Sequence, residues 1–262
     1  MKPKTDAPKP PRLSVRIKAR LVAWKFFFNG SFTFKQTCEL MLPDERRSSE
    51  EVPMTLFGKP FINPHGGGMK GWCSLVSPII CSNQYRIELV HGNVIDAGAN
   101  VGFFSVFAAH TYPDATIYAF EPAPETYEAL KENAKYYPNI KTFNFALGDE
   151  NVATSIIIGD HSGTNFIGSG GEPVLMKTLD SFTAVNTWES VDFIKMDTEG
   201  YEGNIIKGAT ETIKRWSPII VMSAYHYPND KTDLPKFLNE IAPYDCQLRS
   251  DCEEDLVCTP IH

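Results

Sequence analysis

Two groups of residues in this 262-residue chain have the types and spacing to do chemistry. The first lies in the run Val94–Gly102, which carries Asp96, Gly98, Asn100 and Gly102, with Glu121 closing the next apolar stretch. Such a run reads as a strand, a glycine turn and the start of a helix. Gly98 and Gly102 let backbone approach a ligand and let the helix pack on the strand. An acid at the tip of the following strand is placed to accept hydrogen bonds from both hydroxyls of a ribose. The run therefore suits a nucleoside-bearing cofactor. A dinucleotide site usually has three glycines around a pyrophosphate. Here the order Gly98-Ala99-Asn100-Val101-Gly102 leaves that pattern incomplete, and Asp96 would repel a pyrophosphate. The same acid suits a ligand with a cationic amino group, such as S-adenosylmethionine. NAD and an oxidoreductase activity stay open as the alternative.

The second group is Lys195, Asp197, Glu199 and His226. An imidazole titrates near neutrality, so His226 is the first candidate for a general base on an acceptor hydroxyl. Strand alternation puts Lys195 on the same face as Asp197, and a buried lysine needs a partner, so a Lys195–Asp197 pair is expected. Glu199 with Gly200 reads as a helix start with an acid in the first turn. Asp197, Glu199 and His226 also offer donors of the kind that hold Mg²⁺ or Mn²⁺, which could bind substrate oxygens and lower a hydroxyl pKa.

The elements that must position these residues follow an alternating pattern from Val94 onward. Strands are expected at 93–97, 116–121, 141–146, 191–197 and 218–224, and helices at 102–111, 123–136, 202–215 and 232–242. Such alternation implies a parallel sheet covered on both faces. Two further β-like pieces, 152–158 and 174–176, flank a Gly/Ser-rich loop and could overhang the ligand crevice. The segments 246–249 and 255–258 read as a closing hairpin. Upstream, residues 1–12 hold four prolines among lysines and read as a disordered basic tail. Residues 13–90 form a helical and loop extension, with a basic amphipathic helix over 13–30, a glycine-rich connector or lid over 65–72 and a helix over 81–90. The domain proper spans 91–262.

Several pieces occur in a telling order: Val94–Gly102, Tyr118-Ala119-Phe120-Glu121-Pro122, Phe145-Ala146-Leu147-Gly148-Asp149, Thr178-Leu179-Asp180, and Val191 through Lys195-Met196-Asp197-Thr198-Glu199-Gly200. Together they resemble FkbM-type methyltransferases that use S-adenosylmethionine. The resemblance covers about residues 90–225. It implies a Rossmann-like α/β fold of class I: a seven-stranded, mostly parallel sheet with an antiparallel C-terminal edge strand and helices on both faces. It implies that Asp96, Gly98, Asn100 and Gly102 serve the cofactor, that Glu121 holds the ribose, and that Ala146 and Leu147, with Asp149 behind them, border adenine. Phe120 and Pro122 could supply apolar walls. In the class I strand order Asp197 and His226 face one crevice, which makes His226, Asp197 and Lys195 the expected catalytic group. The family usually has a Glu near the end of the fifth strand, where this chain has Ser223-Ala224-Tyr225-His226. The expected reaction is O-methylation of a sugar, glycan or natural-product hydroxyl, with Tyr201, Tyr225 and Tyr227 available to stack on a sugar. A methyltransferase-like module that binds without catalysis is the alternative of another class.

Composition narrows the partners. The chain carries 25 Lys and Arg against 32 Asp and Glu, a net charge of −7. Residues 1–35 hold nine of the basic residues and only Asp6 among acids, which leaves 16 basic against 31 acidic residues, a net of −15, for the rest. An acidic body argues against nucleic acid as the partner. The six cysteines show no metal spacing, and free thiols in a reducing, cytoplasmic setting are expected. No stretch reaches the length of a membrane span. Residues 13–30 could instead lie on a membrane surface or contact an upstream domain.

Overall fold

The computed structural model describes residues 54–64, 68–159, 164–185, 188–249 and 253–261, together with Ala23, Lys25, Phe32 and Gln36. The expected tail over 1–12, most of the helix over 13–30 and the connector residues 65–67 lie outside the described residues. A short hairpin, β1 (Met54–Leu56) and β2 (Lys59–Phe61), comes first. It is followed by α1 (Gly68–Val76), so the second half of the expected glycine-rich connector is helix. The helix expected over 81–90 does not form. A π turn at Ser77–Cys81 and a 3₁₀ turn at Ile87–Leu89 take its place, because Asn83 and Arg86 adopt left-handed backbone between them.

The alternating part comprises β3 (Asn93–Ala97), α2 (Phe103–Thr111), β4 (Thr116–Phe120), α3 (Pro124–Ala134) and β5 (Ile140–Phe143). Four short strands follow: β6 (Ala146–Leu147), β7 (Val152–Ile157), β8 (Phe166–Ile167) and β9 (Glu172–Lys177). Next come α4 (Leu179–Ala184), β10 (Phe193–Met196), α5 (Glu202–Gly208), α6 (Thr210–Trp216) and β11 (Ile219–Ser223), then α7 (Asp230–Ile241), β12 (Tyr244–Arg249) and β13 (Asp255–Pro260). The helix expected over 202–215 is broken at Ala209, since Gly208 packs against the Gly148 carbonyl too closely to carry a side chain.

The main sheet has seven strands in the order β12-β13-β11-β10-β3-β4-β5. Pairings from β11 to β5 are parallel, β13 runs antiparallel to β11, and β12 returns outside it at the edge. This is the class I methyltransferase arrangement expected from the resemblance. The central strands are apolar on both sides, as a sheet covered on both faces requires. Ile95, Ala97, Ile194, Met196, Ile220 and Met222 enter one core with Ile205, Ile206, Ile213, Leu234 and Leu238 from α5–α7. The alternate positions Val94, Phe193 and Val221 pack on the opposite face with Phe104, Ala108 and Ala109 of α2. All of Phe103–Ala109 in α2 are buried. Ala23 and Phe32 join a further core with Trp72 and Phe103, so those two positions of the extension pack on the body. Strands β6–β9 form a second, four-stranded sheet. No helix among the described residues is long and apolar enough to cross a membrane.

Cys246 and Cys258 stand opposite each other in the β12–β13 register and form a disulfide, which corrects the expectation of free thiols for this pair. Antiparallel register brings together two cysteines twelve positions apart, a proximity that metal spacing rules do not address.

Candidate functional site

One cleft crosses the carboxyl ends of the parallel strands, where open α/β sheets bind ligands. It encloses about 1230 Å³ of empty space, mouth included, enough for a nucleoside-sized ligand with an acceptor beside it. One half is lined by Gly98, Ala99, Asn100, Glu121, Pro122, Ala146 and Leu147. Ile156, Asn165 and Ile167 from the second sheet also line the cleft, so the insertion does reach over it.

The glycine turn is built by backbone. The Gly98 and Ala99 amides both donate to the Phe120 carbonyl, at 3.1 and 2.9 Å. Gly98 has φ +71°, and a side chain there would lie 2.0 Å from the Asp197 carbonyl oxygen. Gly102 is the left-handed residue that opens α2; it packs toward Leu130 and does not line the cleft. Glu121 is buried. Its Oε2 accepts from the Asn100 amide at 2.9 Å and its Oε1 from the Ala123 amide at 3.0 Å. Burial pushes its pKa up to about 7 against the pull of these two hydrogen bonds. Each oxygen retains a lone pair, so the ionised group can accept from a diol.

Asp96 is placed differently from expectation. It is fully buried and absent from the cleft wall. Its register partner on β10 is Lys195, and the Lys195 ammonium lies 3.0 Å from Asp96 Oδ1 while the Ser105 hydroxyl donates to Oδ2 at 2.5 Å. Lys195 also donates to the Gly98 carbonyl at 2.7 Å. The expected Lys195–Asp197 pair is thus a Lys195–Asp96 pair, because the cross-strand neighbour is nearer than the neighbour two residues along. This ion pair ties β3 to β10 directly beneath the glycine turn. Asp149, offered as a border of adenine, accepts from the Asn204 side chain at 3.0 Å and does not line the cleft.

The other half of the cleft is lined by Tyr85, Gln84, Lys195, Asp197, Thr198, Glu199, Tyr201, Tyr225 and Glu253. The Tyr85 hydroxyl donates to Asp197 Oδ2 at 2.7 Å. Burial raises the Asp197 pKa, but the charges of Lys195 and His226 and the Tyr85 hydrogen bond outweigh it, leaving the group below the usual carboxylate range. Glu199 sits on left-handed backbone, φ +55°, followed by Gly200 at φ +94°. This turn, rather than a helix start, carries Glu199 into the cleft; α5 begins only at Glu202. Burial and the neighbouring Asp197 push the Glu199 pKa up to about 8.

His226 does not line the cleft. It is 4% exposed and surrounded by acids: Nε2 lies 3.8 Å from Asp197 and 3.6 Å from Glu199, and Nδ1 lies 3.3 Å from Glu202. Burial alone would lower its pKa, yet Glu202, Asp197 and Glu199 together raise it to about 9. Set among these acids behind the cleft wall, it does not face an acceptor hydroxyl, the position that its expected role as the base would require. Of the expected metal set, Asp197 and His226 converge, with Glu202 rather than Glu199 as the second carboxylate. Tyr201 and Tyr225 line the cleft, whereas Tyr227 packs over Gly200 outside it.

Sequence reasoning missed Tyr85, Gln84, Glu202 and Glu253. Glu202 had a local signal: Thr198 stands four residues before it, and both its amide and hydroxyl donate to Glu202 Oε1, at 2.8 and 3.0 Å. The other three come from segments distant in the chain and had none.

Comparison with known proteins agrees with this fold. The FkbM of Streptomyces tacrolimicus, a 31-O-demethyl-FK506 methyltransferase, is 46% identical over 55 residues, 21% of each chain. The hexuronic acid methyltransferase AglP of Haloferax volcanii is 28% identical over 152 residues, 55% of this chain and 60% of that one. The chain thus spans less than two thirds of either relative. A solved FkbM methyltransferase from Methylobacillus flagellatus shares the fold, with TM-score 0.51 and 17% identity over 76% of this chain and 56% of that one. Residues 96–247, more than half of the chain, match the methyltransferase FkbM domain, and the chain belongs to that methyltransferase family.

Proposed function

We propose that this chain catalyses O-methylation with S-adenosylmethionine, moving the sulfonium methyl group to a hydroxyl of a sugar or natural-product acceptor. The observation that carries the reading is the two-part cleft. One half presents a backbone turn and the Glu121 carboxylate with a lone pair free on each oxygen. The other presents carboxylates and tyrosines suited to hydroxyl groups. Under this reading the ribose hydroxyls donate to Glu121, and Ala146 and Leu147 flank adenine. The acceptor oxygen attacks the methyl carbon, the carbon–sulfur bonding pair passes to sulfur, and S-adenosylhomocysteine leaves.

The acceptor proton needs a base, and Glu199 fits that task better than His226. It lines the cleft, and its strained backbone serves to aim it. Tyr201 and Tyr225 offer aromatic faces to a sugar, and the relative named for hexuronic acid supports a carbohydrate acceptor.

The test is transfer of labelled methyl from S-adenosylmethionine to a panel of glycosides and hydroxylated macrolactones. Glu199→Gln should keep cofactor affinity and lower kcat by about 10²–10⁴. Failure of the wild type to bind S-adenosylmethionine, or preferential binding of NAD, would overturn the reading. Tight cofactor binding with no turnover on any acceptor would favour a binding module instead.

A further inference from the structure

Beneath the acceptor half of the cleft lies a cluster whose charges do not balance. Asp197, Glu199 and Glu202 all approach the ring of His226, at 3.8, 3.6 and 3.3 Å. The lysine nearest in the fold, Lys195, is committed to Asp96 and to the Gly98 carbonyl. Three buried polar atoms meet there without a hydrogen-bond partner: Asp197 Oδ1, His226 Nδ1 and His226 Nε2. Buried polar atoms are nearly always satisfied, and a group of orphans at one point indicates a missing ion or water. Asp197, Glu202 and His226 each offer one donor atom, and these atoms lie within 4.8 Å of one another. That spacing fits donors arranged around a single ion at ordinary coordination distances of about 2.0–2.4 Å.

We propose that Asp197, Glu202 and His226 hold one divalent cation. Two carboxylates and an imidazole favour Mn²⁺ over Mg²⁺ or Ca²⁺, whose sites are built from oxygens. The groups outside the donors are arranged as metal sites require. The Tyr85 hydroxyl fixes Asp197 through Oδ2 and leaves Oδ1 for the ion, and Thr198 fixes Glu202 through two hydrogen bonds. Asp197 is the one ligand that also lines the cleft. The ion therefore stands one residue behind the bound acceptor and holds the floor of that subsite in place.

The test is titration of Mn²⁺ alone into the purified chain, with no cofactor or acceptor, so that its failure leaves the methyl-transfer reading untouched and the reverse also holds. Loss of the free-ion paramagnetic resonance signal should report one saturable site. Glu202→Gln and His226→Gln should each weaken it about tenfold or more, while Glu253→Gln keeps it. Circular dichroism checks that the variants fold. Should they not fold, spin-echo modulation on wild-type Mn²⁺ reads the imidazole nitrogen directly, and a nitrogen coupling is the expected result. No saturable Mn²⁺ binding at millimolar concentration, or bound Mn²⁺ without a nitrogen coupling, would overturn the proposal.

Discussion

Glu121 makes the cofactor half of the cleft sensitive to pH in a direction that can be worked out. In the unfolded chain its pKa is that of an ordinary Glu, 4.5, and in the folded protein it rises to about 7. A raised carboxylate pKa costs stability where the group must be ionised. Above pH 7 the cost is about 3 kcal/mol, and it disappears as pH falls toward 4.5. Under the proposed reading a ribose diol donates to the carboxylate, so the ligand selects the ionised form. With a pKa near 7, about a tenth of the protein is ionised at pH 6, and affinity should be about tenfold weaker there than at pH 8.5. Because the α-amino group of S-adenosylmethionine titrates in the same range, 5′-methylthioadenosine, which lacks it, is the cleaner probe for calorimetry. Glu121→Gln removes the charge but leaves one of the Asn100 and Ala123 amides facing an NH₂ group. That mismatch costs about 1–3 kcal/mol and offsets most of the relief, so the unliganded melting temperature at pH 8.5 should change little. Nucleoside affinity should fall about 10- to 100-fold, the loss of one charge-assisted hydrogen bond, and its pH dependence should vanish. Wild-type affinity that is flat between pH 6 and 8.5, or a Glu121→Gln variant that binds as tightly as wild type, would refute the reasoning.

Three further outcomes follow from named contacts. Asp96→Asn leaves the Lys195 ammonium buried without its counter-charge and should cost about 3–5 kcal/mol, seen as a melting temperature lower by about 10 °C; the double variant with Lys195→Met should recover part of it. Gly98→Ala drives a side chain into the Asp197 carbonyl and should abolish cofactor binding or folding, whereas Gly170→Ala, at φ +90° in open space, should cost only about 1 kcal/mol by chemical denaturation. Cys246→Ser opens a disulfide of sequence separation 12 and should lower stability by about 3 kcal/mol, an effect that reductant should reproduce in the wild type and not in the variant.

The turn proposed to hold the cofactor is local in sequence, so its backbone geometry was legible. Val94 to Glu121 is a single βαβ unit, and the glycines, Asn100 and the terminal acid meet through the turn itself. Asp96, Gly102 and Asp149 stand off the cleft wall, and for Asp96 the neighbouring strand supplies a buried lysine that no local pattern announces. Alternation gave the correct face for Lys195, but only the β3–β10 register names its partner. The same limit hid the Cys246–Cys258 pair and the break at Gly208, where a distant carbonyl fills the space a side chain would need.

The acceptor half was less legible because topology assembles it from four separate segments. Tyr85 and Gln84 arrive before β3, the Asp197–Tyr201 turn follows β10, Tyr225 follows β11, and Glu253 precedes β13. Gln84 binds Glu253 at 2.7 Å across 169 positions, a contact no local pattern can announce. This division has a physical consequence. The turn proposed to grip the nucleoside is made largely of backbone and tolerates few substitutions, as Gly98 shows. The acceptor wall is made of side chains on separate loops, each replaceable without disturbing the sheet. A chain built this way can keep one cofactor grip while its acceptor wall changes. In this chain the replaceable wall carries Asp197, Glu199 and Glu253 and, with Lys195 neutralised by Asp96, no free cation among its described residues. Above about pH 8, where Glu199 ionises beside Asp197, such a wall repels a carboxylate and accepts hydrogen bonds from neutral hydroxyls. Neutral glycosides should therefore outcompete the matching uronic acids in kcat/KM, and Glu253→Gln should narrow the difference.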